Sequence, residues 1–240
     1  MQIVMKCDDM KRTLIIQKKW RRNKMPLPMV HIGTVIKIYE VLGKELSPML
    51  LLGCISPDAI HMRENANRED KAETHLHKPE KGNIEAAISE FIYKYINMYP
   101  SIDEVEFIKG YAIHVLTDLY WRDTIYKMYK ESIPKGISED ETKKIYYNDT
   151  DQIDFYIYHK KEWTPKVWDQ LRRIYPFDLD GLLTSEEIEN WKNRTLAFFE
   201  DSTKEPKIIP KYITEDEVMN FIDDAANYCI HQFKNMDLKF

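Results

Sequence analysis

Residues 101–121 read Ser-Ile-Asp-Glu-Val-Glu-Phe-Ile-Lys-Gly-Tyr-Ala-Ile-His-Val-Leu-Thr-Asp-Leu-Tyr-Trp. Ser101 and Glu104 have the spacing of a capping box, in which each side chain satisfies an amide that a helix start leaves unpaired. From Tyr111 to Trp121 nearly every face is apolar, the pattern of a helix buried in the middle of a bundle. Phe107, Tyr111, His114, Asp118, Trp121 and Ile125 share one stripe, so two ionisable groups one turn apart occupy core positions. An unpaired buried carboxylate costs about several kcal/mol or more, so Asp118 needs a proton, a cationic side chain or a metal ion. His114 can be that partner directly, or the two side chains at i, i+4 can converge on one cation.

The same helical grammar extends outward. Ser138 with Glu141, Thr184 with Glu187, and Thr214 with Glu217 repeat the capping box. Ile84, Ala87, Ile88, Phe91, Ile92, Tyr95 and Ile96 form an apolar stripe at helical spacing, as do Val218, Phe221, Ile222, Ala225 and Cys229. A first helix is expected from Val30 to Leu42, stopping at Gly43, and another capped by Thr164 with Pro165 at its first position. Alternation of period two is confined to a weak strand candidate at Tyr156 to Tyr158. The expectation is an all-α, compact multi-helix bundle.

Composition agrees. The 240 residues are 43% hydrophobic and 31% charged with 7 Gly, enough to bury a core and unlike a disordered or collagenous chain. A single domain over 25–240 follows, preceded by a basic extension at 1–24 that reads as a tail. The formal net charge of −5 gives no broad attraction for nucleic acid, and three cysteines without CxxC spacing read as reduced thiols. With no long apolar run and no secretory signal in the first residues, the default compartment is the cytoplasm.

Residues 53–83 break the pattern: polar, interrupted by Pro57, Pro79 and Gly82, with one turn of helix expected around Arg68 to Glu73. Segments of this length in compact domains are usually functional or disordered. His61, His75 and His77 lie here, with Asp58 just after the apolar run Met49 to Ile55; an aspartate there can also cap the next turn. His31 opens the stripe His31, Val35, Ile38, Leu42 of the first helix. Later in the chain, Asp149, Gln152, Tyr156 and His159 share one helical face that is either solvated or a source of a further ligand.

Taken in order, an N-terminal His, Leu51-Leu52-Gly53-Cys54-Ile55-Ser56-Pro57-Asp58, a loop histidine and Gly110-Tyr111-x2-His114-x3-Asp118 resemble the zinc-dependent phospholipase C family, related to single-strand-specific nucleases. The resemblance covers about residues 25–130 and is nearest the small bacterial branch rather than the secreted toxins. It implies a metal cluster between helices held by His31, Asp58, a loop histidine, His114 and Asp118, with Asp118 able to bridge two ions. His75 is the expected loop ligand, ahead of His77 and then His61; Asp149 and His159 are reserves. Later histidines of the secreted enzymes have no counterparts beyond His159 and His231, so one or two zinc or other divalent transition-metal ions are expected rather than three.

Zinc in such a site activates water and polarises a phosphoryl oxygen. Asp58 would be a ligand or the general base, Arg63 and Arg68 would hold phosphate, and the substrate would be a small phosphoester or phospholipid head group. Tyr120, Trp121, Tyr126, Met128 and Tyr129 offer either an apolar rim for lipid or core packing. Two other readings stand beside the hydrolase: a non-catalytic helical protein with a structural or vestigial metal site, and a metal-free hydrogen-bonded His and Asp network.

Overall fold

The computed structural model describes residues 27–77 and 84–238, so the expected extension at 1–24 lies outside the described residues. Among the described residues ten α-helices run in the order α1 (Pro28–Val41), α2 (Pro48–Gly53), α3 (Arg68–Thr74), α4 (Ile84–Met98), α5 (Ile102–Trp121), α6 (Lys127–Ser132), α7 (Glu139–Lys160), α8 (Thr164–Arg173), α9 (Ser185–Glu200) and α10 (Glu215–Asn235). A 3-10 helix (Ser56–Met62) follows α2, and a π turn (Arg122–Tyr126) joins α5 to α6. Among the described residues the only β pairing is an isolated bridge, Leu179 with Leu183. The protein is an all-α bundle, and no described helix is long and apolar enough to cross a membrane.

Local chemistry sets the boundaries. Pro28 occupies the first turn of α1, where its missing N–H is no loss, and Gly43 beyond the end takes φ +62, a conformation that suits glycine. Ser101, Thr184 and Thr214 close full capping boxes on α5, α9 and α10, whereas Ser138 accepts from the Glu141 amide without the reciprocal bond. Thr164 is the first residue of α8 rather than its cap. Tyr156 to Tyr158, read as a weak strand, belong to α7, where the capped first turn and the packing of Phe155 and Ile157 outweigh a three-residue alternation.

Helix α5 runs through the centre and packs against α2, α4, α10 and α1. Its contact with α2 depends on two glycines. A Cβ on Gly53 would lie 2.1 Å from the Phe107 carbonyl oxygen, and one on Gly110 2.2 Å from the Leu50 carbonyl oxygen. Both obstacles are backbone, so no rotamer change relieves them, and only glycine permits this approach. Leu50, Leu51 and Leu52 are fully buried in consequence. The π turn begins directly after Trp121, whose indole N–H donates to the Tyr146 hydroxyl at 2.7 Å. Trp121 and Tyr129 are buried, and Tyr120, Tyr126 and Met128 pack against the core, so these residues complete the interior rather than forming an exposed rim.

Candidate metal centre

Three elements converge on α5. Helix α1 brings His31, the 3-10 helix brings Asp58, the turn closing α3 brings His75, and α5 itself brings His114 and Asp118. Asp118 Oδ1 lies 3.4 Å from His31 Nε2, and its Oδ2 lies 3.6 Å from both His75 Nε2 and His114 Nε2. Asp58 Oδ1 is 3.4 Å from His75 Nε2 and 3.5 Å from His61 Nε2. The His31 and His114 rings stack, with centroids 3.7 Å apart and planes 7° from parallel.

The reasons for this convergence are local. Because Gly53 and Gly110 let α2 approach α5, the Cys54 carbonyl reaches His114 and accepts from its Nδ1 at 2.8 Å. One turn of α3 places the Lys71 carbonyl 3.1 Å from His75 Nδ1, again as acceptor. With Nδ1 donating in both rings, Nε2 carries the lone pair, and that lone pair points at the carboxylates. His31 has no hydrogen-bond partner for either nitrogen among the described residues.

Six further polar atoms decide what the cluster can hold. His31 Nε2, His75 Nε2, His114 Nε2, both oxygens of Asp118 and His31 Nδ1 are buried and make no hydrogen bond among the described residues. Contacts of 3.4 to 3.6 Å are too long or too bent for that. Lone pairs of imidazoles facing lone pairs of a carboxylate repel, and burying them unsatisfied costs about 1–3 kcal/mol each. A bound cation removes both penalties at once, so the donor set fits a metal.

Two overlapping groups have the required mutual distances, His31 with His114 and Asp118, and Asp58 with His75 and His114. His114 has a single lone pair, so it serves one ion only, whereas a carboxylate such as Asp118 can bridge. Mixed imidazole and carboxylate donors suit zinc and its neighbours in the first transition row.

Electrostatics favour the ligand forms of His31, His75, Asp58 and Asp118, whereas His114 is biased towards its protonated form, whose proton a bound cation would displace. Burial pushes the His31 and His75 imidazoles down, His75 to about 4; for His114 burial acts in the same sense, but Asp118, Asp58 and the Cys54 carbonyl together outweigh it and raise the pKa. Burial opposes ionisation of Asp58, but Lys71, His61 and His75 outweigh it and hold the carboxyl well below the usual range. His114 and His31 do the same for Asp118.

The other expected site residues are placed elsewhere. His77 is half-buried after α3 and feels Asp118 only through its charge. Arg63 forks onto Glu187, with N···O distances of 2.6 and 3.0 Å, and donates to the Leu182 carbonyl, so its guanidinium ties the 3-10 helix to α9 instead of facing a phosphate. Arg68 is exposed in the first turn of α3. Asp149 accepts from the Tyr212 and Ile213 amides, Gln152 binds Glu205 and the Ile208 amide, Tyr156 donates to the Ile208 carbonyl, and His159 is 3.7 Å from Glu205. That face of α7 therefore clamps the segment 205–213, with Asp149 and Gln152 buried and His159 exposed at its far end.

Lys71 was not singled out by the sequence, yet its ammonium is 3.1 Å from Asp58 Oδ1 and 3.4 Å from His61 Nε2. The available signal was its position four residues before His75, which matters once residues 68–74 are helical. No family model, curated protein or solved structure matches the chain.

Proposed function

We propose that the chain is a zinc-dependent hydrolase of small phosphoesters or phospholipid head groups. The observation that carries this reading is the set of buried, unpartnered Nε2 and carboxylate atoms converging from α1, α5 and the turn after α3. Zinc held by such donors supplies a Lewis acid for a phosphoryl oxygen and brings the pKa of coordinated water toward about 7.

The chain's own residues do the rest. His75 and His114, each fixed through Nδ1 by a backbone carbonyl, present Nε2 without a reorganisation penalty. Asp118, buried and ionised, neutralises positive charge at the floor of the site. Asp58 is ionised and more accessible, which lets it complete the ligand set or accept a hydrogen bond from an attacking water, while its low pKa makes it a weak proton acceptor. A second reading, a metal kept for stability alone, draws on the near-complete burial of His31, His75, His114 and Asp118, since a closed coordination sphere holds metal without turnover.

The test is hydrolysis of bis(p-nitrophenyl) phosphate and p-nitrophenylphosphorylcholine by zinc-loaded protein. Release of nitrophenol that stops on chelation, returns with zinc and is lost in Asp58→Asn supports the hydrolase. Zinc-loaded protein inert towards both esters overturns it in favour of the structural site.

A further inference from the structure

The cluster has a floor and an edge. Side chains of His31, His75, His114 and Asp118 are 1–2% exposed, whereas Asp58 is 17% and His61 and Lys71 are each 18% exposed. Asp58 is the most exposed carboxylate of the cluster, and the charged group beside it is Lys71.

We propose that Lys71, assisted by His61, is the anion-binding group of this centre and holds a phosphoryl oxygen of the ligand at the Asp58 edge. The proposal rests on the metal-centre reading and adds to it the group that makes an anion welcome. A phosphoryl group next to Asp58 and Asp118 meets two carboxylates, and that repulsion has to be offset by more than the metal alone. Lys71 is the cation in place: its Nζ is 3.1 Å from Asp58 Oδ1 and 3.4 Å from His61 Nε2. An ammonium has three N–H donors, and these two contacts leave one for a ligand. Arg63 is spent on Glu187 and the Leu182 carbonyl.

Backbone and side chain of Lys71 act together. The Asn67 and Asp70 capping box fixes the start of α3, the Lys71 carbonyl orients His75, and the Lys71 ammonium is delivered to Asp58 from the same turn. Trp191 of α9 backs the His61 ring at 5.8 Å between centroids, which limits its freedom to swing away. Ligand anchor and metal ligand are therefore positioned by one short helix.

The test uses the full chain loaded with zinc, freed of excess metal, and titrated with inorganic phosphate by calorimetry. Elemental analysis precedes the titration, and circular dichroism checks folding. In Lys71→Met, phosphate affinity is expected to fall about 10- to 100-fold, the size of a lost charge-assisted hydrogen bond, with zinc content unchanged, and Lys71→Arg recovers most of it. Phosphate binding in Lys71→Met equal to the parent's, or a zinc-loaded parent that binds no phosphate, overturns the proposal. So does loss of zinc from both Lys71→Met and Lys71→Gln, which would make the lysine part of the metal framework. A parent that takes up no zinc contradicts the metal reading itself, and the lysine proposal falls with it.

Discussion

His31, His75 and His114 present similar rings to Asp118 but are not held alike. His75 and His114 are oriented by the Lys71 and Cys54 carbonyls, whereas neither nitrogen of His31 is hydrogen-bonded among the described residues. A ligand fixed from behind binds metal more tightly, an effect of about 10- to 100-fold. Zinc affinity, read by competition with a chelating dye, should therefore fall further in His75→Ala and His114→Ala than in His31→Ala; an equal or larger loss in His31→Ala contradicts this. Without metal, the same residues predict a pH dependence. His75 drops from 6.5 to about 4 on folding, so between those values the unfolded chain binds more protons. Stability from this group is complete above about pH 6.5 and is lost as pH falls toward 4, by at most about 1.4 kcal/mol per unit. His31, also lowered, acts in the same sense; His114, raised, gives stability that fades as pH rises through its folded pKa. Urea unfolding of chelator-treated protein at pH 5 and pH 7 checks this, with a flatter dependence expected in His75→Gln.

At the scale of elements, the seam between α2 and α5 decides whether a site exists. Gly110→Ala would set a Cβ 2.2 Å from the Leu50 carbonyl oxygen and 2.9 Å from the Cys54 amide nitrogen, moving the carbonyl that orients His114. The expected loss is at least about 3 kcal/mol in chemical denaturation, beyond ordinary overpacking because backbone cannot yield, together with weakened zinc binding. Unchanged stability in Gly110→Ala would refute the close approach. Much of this scale was legible in the sequence: four serine and threonine caps, Gly43 and the buried stripe of α5 depend on near neighbours and periodicity, whereas the first helix starts at Pro28, two residues before the expected Val30. Helix α3 was legible only in part, because its box is Asn67 with Asp70 and its apolar periodicity is weak. The choice among His61, His75 and His77 turns on which way α3 faces, and the role of Lys71 follows from that same rotation. The face of α7 that clamps 205–213 was hidden for another reason, since its partner is a loop more than 50 residues away.

For the whole molecule, the centre joins four parts of the chain: α1, the 3-10 helix, the end of α3 and α5. A ligand bound only by the folded state stabilises it by mass action, about 4 kcal/mol at a thousandfold excess over Kd. Zinc should accordingly act as a structural tie as well as a reagent. The most direct test of this account is the zinc content, by elemental analysis, of protein purified without added metal, compared with folded Asp118→Asn and His114→Ala. About one or two equivalents in the parent, lost from both variants, is the predicted result. A parent that stays metal-free even after reconstitution with zinc would contradict it and leave His31, His75, His114 and Asp118 as a buried network of protons.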